Sequence, residues 1–252
     1  MAQRTSTVIA ARDAAFAVLS GGFRLVDLTD VLGAETILWP GAPPLEIVDA
    51  VTHDAHGYHA RVFTTFEHAG THFDAPEHFV PGGADAASFS IDDLVVPAVV
   101  IDISRKAATD PNAVVEPDDV IVFEKEHGTI PAGNAVLMLS GWARRKSSAL
   151  SYIGSEGTTD LKFPGFGVEA ARMLVDRGVV GLGVDTLGID PGDKPDFPVH
   201  RTVSHPAGLW HLENLMNLEQ LPATGGVIVV GVPRIAGGTG FPTRVFAFVP
   251  KQ

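Results

Sequence analysis

The chain contains no cysteine. That excludes disulfides, thiolate metal ligands and a cysteine nucleophile, so any metal must be held by nitrogen and oxygen. Basic residues are sparse too: 18 Lys and Arg stand against 30 Asp and Glu, a formal charge of −12, with no basic cluster to track a phosphate backbone. Nucleic acid is therefore not an expected partner, and the acidic excess reads first as a solubility device. Apolar runs are short. The N-terminal stretch Ala14 to Leu19 is preceded directly by Arg12 and Asp13, and no run reaches the length of a signal core or membrane span. The expectation is a cytoplasmic protein with no membrane association. Also missing are a Gly-x-Ser-x-Gly elbow and a His-Glu-x-x-His pair, which removes the familiar serine and zincin routes to hydrolysis.

What is present is ample core material: 45% of 252 residues are hydrophobic. Nothing forces a cut in the middle, so residues 23–252 read as one domain behind an N-terminal extension, 1–22, with a candidate helix at Val8 to Leu19. The 27 Gly and 18 Pro punctuate apolar runs of strand length at Ala98–Ile103, Ala135–Leu139, Val179–Val184, Val227–Val230 and Val245–Val249. These runs are continuous rather than alternating, which predicts strands covered on both faces. Helices are predicted from Val168 to Arg177, stopped by Gly178, and from Pro117 to Glu126, where Pro117 suits the first turn. The fold class is α/β or mixed α+β. The stretch from Arg144 to Phe163 is rich in Ser, Thr and Gly and reads as a solvated loop or a lid.

The chemistry concentrates in His68-Ala-Gly-Thr-His72-Phe-Asp74-Ala-Pro-Glu-His78. In an extended backbone His68, His72, Asp74 and His78 share one parity and would aim at one point, and Thr71 is placed to support a ligand by a hydrogen bond. A lone histidine is usually a surface or satisfied core residue, and His53, His56, His59 and His127 are read that way; a cluster this dense is not. One segment rarely completes a metal site. His200, His205, His211 and Glu213 are the later candidates, Glu213 because a carboxylate between Leu212 and Leu215 must be paired or metal-bound. Trp39, Phe66, Phe73, Trp142 and Trp210 are candidates for an aromatic wall.

The pattern His-x-Gly-Thr-His-x-Asp-x-Pro-x-His resembles the signature of the cyclase family of metal-dependent hydrolases, whose members include kynurenine formamidases and isatin hydrolases. Trp39-Pro-Gly, Gly183-Val-Asp-Thr-Leu-Gly-Ile-Asp190 and Leu212-Glu-Asn-Leu-Met-Asn-Leu218 follow in the family's order. The resemblance implies a mixed sheet curled into a barrel-like core with flanking helices, assembled as a homodimer or homotetramer. It also implies that His68, His72 and Asp74 are metal ligands, Asp74 able to bridge two ions. His200 and Glu213 would complete the second position, and His78 would transfer a proton. Trp39 resembles the family's substrate-contacting tryptophan; Phe66 and Phe73 join it as expected substrate contacts. The gap from His200 to Glu213 is one residue longer than the family's, which leaves His205 as an alternative ligand.

The activity so implied is cleavage of a C–N bond in a small aryl formamide or cyclic amide by hydroxide on one or two Zn or Mn ions. Glu213 resembles the two-zinc formamidase pattern. An isatin hydrolase-like or lactone-opening enzyme is the alternative on the same site. A non-catalytic, metal-binding oligomer is the alternative of another class, against which stands His78, without a duty if metal is only structural.

Overall fold

The structure is a computed structural model that describes residues 21–251. The candidate helix at Val8 to Leu19 lies outside the described residues.

In chain order the elements are β1 (Phe23–Asp27), β2 (Glu46–Val51), β3 (Ala60–Thr64), β4 (His72–Asp74), β5 (Val95–Asp102), β6 (Val114–Val115), α1 (Pro117–His127), β7 (Ala135–Leu139), β8 (Gly165–Phe166), α2 (Val168–Asp176), β9 (Gly181–Val184), β10 (Trp210–Glu213), β11 (Gly226–Gly231), β12 (Gly240–Pro242) and β13 (Arg244–Pro250), with short helical turns between them. The five apolar runs of the sequence are β5, β7, β9, β11 and β13. Both predicted helices form. α1 starts on Pro117 with Glu116 and Asp119 exchanging a capping box, and α2 ends where Gly178 takes a φ of 76° before β9.

One nine-stranded sheet, ordered β1-β13-β11-β5-β7-β9-β10-β4-β12, curls into a half-barrel. Its middle, β5-β7-β9-β10, is parallel; the flanks are antiparallel. On the convex face Val99, Ile101, Val136, Met138, Leu182 and Val184 pack on α1 and α2 through Val120, Phe123, Ala171 and Leu174. On the opposite face Ala98, Val100, Ala135 and Leu137 meet Leu212, Val230 and Ala247 inside the curl. Double coverage is why these strands carry no polar alternation. Each fully buried Val, Leu or Phe contributes about 1.5–3 kcal/mol, so the central strands anchor everything built on their ends.

The polar stretch from Arg144 to Phe163 is not a solvated loop throughout. It holds the end of a 3-10 turn and a short helix, Ala149–Ile153. Tyr152 is fully buried with Trp142 and Phe163; its hydroxyl donates to Asn214 Oδ1 (2.9 Å), and Trp142 Nε1 donates to the Tyr152 carbonyl (2.8 Å). A few apolar anchors among many polar residues thus pin the segment down. The β2–β3 hairpin, by contrast, stands apart from the main sheet, with Val48, Val62 and Phe63 more than half exposed.

Candidate metal centre

β4 is only three residues long, yet it sets the site. It lies between β10 and β12, with His72 opposite Glu213 and Asp74 opposite His211 and Gly240. Strand alternation sends Phe73, Trp210 and Leu212 into the core inside the curl, and sends His72, Asp74, His211 and Glu213 together to the other side. Phe73 is therefore not a substrate contact: it is 0% exposed and packs edge-on against Phe89.

His68 and His78 join by other routes. Gly70 turns the chain at a φ of 61°, where a Cβ would press on Leu32 and Thr36, and Pro76–His78 forms a 3-10 turn. The parity argument thus holds for His72 and Asp74, while His68 and His78 converge through a turn on each side. Gly240 completes the cradle: a Cβ there would sit 2.4 Å from the Phe73 carbonyl and 2.7 Å from His68 Cε1.

Around Asp74 the imidazoles share one design, in which an outer nitrogen donates to a fixed acceptor and an inner one faces a carboxylate. His72 Nδ1 donates to Gly70 O (2.9 Å), and its Nε2 lies 3.1 Å from Asp74 Oδ1 and 3.4 Å from Glu213 Oε2, buried and without a hydrogen-bond partner. His200 Nδ1 donates to Asp190 Oδ2 (2.6 Å), leaving Nε2 at 3.4 Å from Glu213 Oε1 and 3.7 Å from Asp74 Oδ2. His68 Nε2 donates to Thr239 Oγ1 (2.9 Å), whose own proton goes to Glu67, and its Nδ1 is 2.6 Å from Asp74 Oδ1.

Two buried carboxylates facing each other demand positive charge. Burial disfavours charge on His72, but Asp74 and Glu213 outweigh it and push its pKa up to about 10. Burial likewise opposes a charged His200, and Asp190, Asp74 and Glu213 raise it regardless. Asp74 is held well below the usual carboxylate range, burial being overcome by His68 and His72, and Glu213 is lowered by His200 and His72 against burial and Asp74. Without a metal, protons on His72 and His200 meet this demand. A divalent cation meets it on the inner lone pairs the outer hydrogen bonds have prepared, so the residues present fit such an ion. His68, Asp74 and His78 form one grouping of ligand atoms within 4.8 Å of one another; His72, Asp74 and Glu213 form a second; Asp74, His200, His205 and His211 form a third.

His78 differs from its neighbours. Its ring stacks on His68 at 3.7 Å, and among the described residues neither ring nitrogen is hydrogen-bonded. Burial, opposed by Asp74 and helped by smaller contributions from His68 and His200, lowers its pKa to about 3, so the ring is neutral. It opens on a cavity of about 310 Å³ walled by Trp39, Phe66, Phe79, Leu187, Phe197 and Arg201. The Arg201 guanidinium lies 5.2 Å over the Phe79 ring. Phe197 holds a φ of 51°, an unusual conformation for a bulky residue, and so places its ring 5.5 Å from both Trp39 and Phe79.

Of the expected substrate contacts, Trp39 and Phe66 line this cavity. Trp142 and Trp210 belong to the core. Thr71 supports no ligand; its hydroxyl donates to Asn214 O and accepts from Asp30 N, tying two loops together. Three participants lacked an assigned part in the sequence: Phe79, Phe197 and Asp190. Asp190 was marked only as the last residue of the segment Gly183-Val-Asp-Thr-Leu-Gly-Ile-Asp190, six residues beyond the end of β9. The aromatics carried no signal that sets them apart from core.

A curled mixed sheet flanked by helices, with a buried histidine–carboxylate cluster on β4 and β10, has the donor set of a metal-binding protein. Residues 26–191 match the family described as "Putative cyclase", and the chain belongs to that family. The isatin hydrolase of Roseibium aggregatum is 33% identical over 251 residues, covering 93% of this chain and 95% of that one. The kynurenine formamidase of Salinibacter ruber is 26% identical over 223 residues, covering 87% and 95%. Isatin hydrolase A from Labrenzia aggregata, solved bound to benzyl benzoate, matches with a TM-score of 0.87 at 33% identity over 96% of this chain and 100% of that one. An isatin hydrolase bound to the product analogue thioisatinate matches at 0.86 and 31%, with 100% of both chains covered.

Proposed function

We propose that the chain is a divalent-metal-dependent amidohydrolase that opens a small cyclic amide fused to an aromatic ring. The observation that carries this reading is His78, a neutral imidazole with both nitrogens unbonded, facing an aromatic cavity beside the carboxylate cluster. A protein that merely stored metal would have no use for it.

Metal held by His68, His72, Asp74, Glu213 and His200, Zn or Mn, would supply Lewis acidity and lower the pKa of a nearby water. The remaining steps belong to the chain. Trp39, Phe66 and Phe197 hold a flat ring and exclude bulk water. A water oxygen bonds to the amide carbon as the C–N bond breaks. His78 takes one proton from that water and delivers it to the released nitrogen, which becomes an amine still joined to the same molecule through its aromatic ring, and the new carboxylic acid gives the second proton to solvent to leave a carboxylate.

The cyclic amide is preferred over N-formylkynurenine because the cavity, although Arg201 on its wall suits a carboxylate, offers no free acid to an ammonium group. Its carboxylates, Asp74, Asp190 and Glu213, all face imidazoles, which leaves no acid for an ammonium group. The extent of the likeness to isatin hydrolase supports the same choice. The aryl formamide is the second reading, favoured by Glu213 facing Asp74, which suits two ions. Isatin and N-formylkynurenine assayed side by side with Zn and Mn decide: turnover of isatin at least about tenfold greater in kcat/KM is expected, and turnover of neither refutes the function.

The exposed β2–β3 hairpin supports a homodimer or homotetramer, since a two-stranded sheet with apolar side chains in water is marginal without a cover. Light scattering on the purified chain tests this; a monomer would refute it. No helix among the described residues is long and apolar enough to cross a membrane.

A further inference from the structure

Asn214 lines the cavity directly after Glu213, the last residue of β10, and the function proposed above gives it no part. Its backbone takes a φ of 59°, a left-handed conformation that asparagine tolerates better than most residues. Both main-chain groups are tied there: N donates to Thr186 O at 2.8 Å, and O accepts from Thr71 Oγ1 at 2.7 Å.

The side chain is held at one end only. Tyr152 donates its hydroxyl proton to Asn214 Oδ1 at 2.9 Å. Burial, with Asp185, Glu213 and Asp30 adding to it, raises the phenol well above its usual pKa, so that proton stays in place. Tyr152 is itself fixed, packed with Trp142, Leu161, Phe163 and Leu187 and accepting from Trp142 Nε1 at its carbonyl. With Oδ1 committed, the group left over is the Nδ2 amide, whose two N–H donors take no acceptor among the described residues. Asn214 is 2% exposed. A donor so buried is rarely left unpaired, and an unusual backbone that sets it in a cavity points to a ligand rather than to packing.

We propose that Asn214 is a catalytic hydrogen-bond donor, its Nδ2 amide donating to the carbonyl oxygen of the cyclic amide and stabilising the negative charge that oxygen gains as water adds to the carbon. The inference rests on the amidohydrolase function proposed above and deepens it. As the water oxygen bonds to carbon, the carbonyl π pair moves onto the oxygen; it returns to re-form the carbonyl as the C–N bond breaks. Asn214 keeps both protons throughout. Because Tyr152 orients the amide beforehand, no reorganisation is needed as the charge develops.

The test measures kcat and KM for isatin, zinc affinity and Tm on the wild type, Asn214→Gly and Asn214→Asp. Glycine keeps the left-handed backbone and removes the donor; aspartate keeps the shape and puts an oxygen where the donor was. In both, kcat should fall on the order of 100-fold or more. KM should change little, the signature of an interaction made in the transition state, and zinc affinity in Asn214→Gly should match the wild type. Wild-type kcat in Asn214→Gly overturns the assignment. So does a loss of zinc affinity that parallels the loss of turnover, which would make Asn214 a support for Glu213. A wild type that turns over neither isatin nor N-formylkynurenine overturns the function itself and this assignment with it, a distinguishable failure. If Asn214→Gly does not fold, Tyr152→Phe decides: with the amide free to turn, kcat should fall about tenfold at unchanged zinc affinity, and unchanged kcat refutes the proposal.

Discussion

Replacing Asp190 by asparagine should weaken metal binding without touching a proposed ligand. The Asp190 carboxylate accepts three hydrogen bonds: Oδ1 from the Val199 amide at 2.7 Å, and Oδ2 from the His200 amide at 3.1 Å and from His200 Nδ1–H at 2.6 Å. Asparagine cannot satisfy all three. With its amide nitrogen toward Val199, two N–H groups face each other; with it toward His200, it donates to Nδ1 and moves the ring proton to Nε2, where the lone pair is needed. Either orientation should lower affinity about 10- to 100-fold, or roughly 1.4–2.7 kcal/mol. The assay is competition for zinc with a chromophoric chelator, with the Asp190→Asn fold checked by circular dichroism. Wild-type affinity in a folded variant would refute the argument that Asp190 fixes the His200 tautomer.

Other expectations follow the same geometry. His78→Ala should keep wild-type metal content while kcat falls on the order of 100-fold or more; unchanged turnover removes His78 from the mechanism. Phe73→Ala should cost about 3–5 kcal/mol, lowering Tm by roughly 10 °C while leaving KM alone. Phe66→Ala, at 41% exposure on the cavity wall, should do the reverse, raising KM at nearly constant Tm. Asp185 provides a pH test, because burial pushes its pKa up to about 6 from 3.8 against the donors of Ser140 and Trp142. A raised folded pKa contributes stability that is fully present below 3.8 and lost as pH rises through 6, a change of about 3 kcal/mol. Chemical denaturation of wild type against Asp185→Asn at pH 5 and pH 8 should show the part of that loss falling above pH 5, about 1.4 kcal/mol, in the wild type only; parallel pH profiles would refute it.

Much of this was legible in the sequence, for identifiable reasons. Strands buried on both faces print as continuous apolar runs, so β5, β7, β9, β11 and β13 could be read from composition alone, and α1 and α2 from their caps. β4 and β10 could not: three or four residues of alternating polar and apolar character fit a strand only once the partner is known. The same blindness misplaced Phe73. It lies between His72 and Asp74, and period-two alternation turns it away from them, so adjacency to the motif was evidence against a substrate role. Between His200 and His205 the sequence offered a choice; in the fold both reach Asp74, because the π-helical turn His200–Ser204 carries the chain back to the same carboxylate. Phe79 and Phe197 were invisible, since an aromatic facing a cavity and one facing a core look alike in sequence.

β4 carries a further consequence, one of timing. Its partners β10 and β12 lie far along the chain, so its ladder is built wholly from distant contacts, with the entropy of closing long loops set against very few hydrogen bonds. Such a strand docks late in folding and loosens early in unfolding. A cation bound at Asp74 would act as a rivet through β4 and β10, making metal supply a determinant of how long the folded chain survives proteolysis. Amide hydrogen exchange at Phe73, slow with metal and fast after chelation, is the observable that rivet predicts.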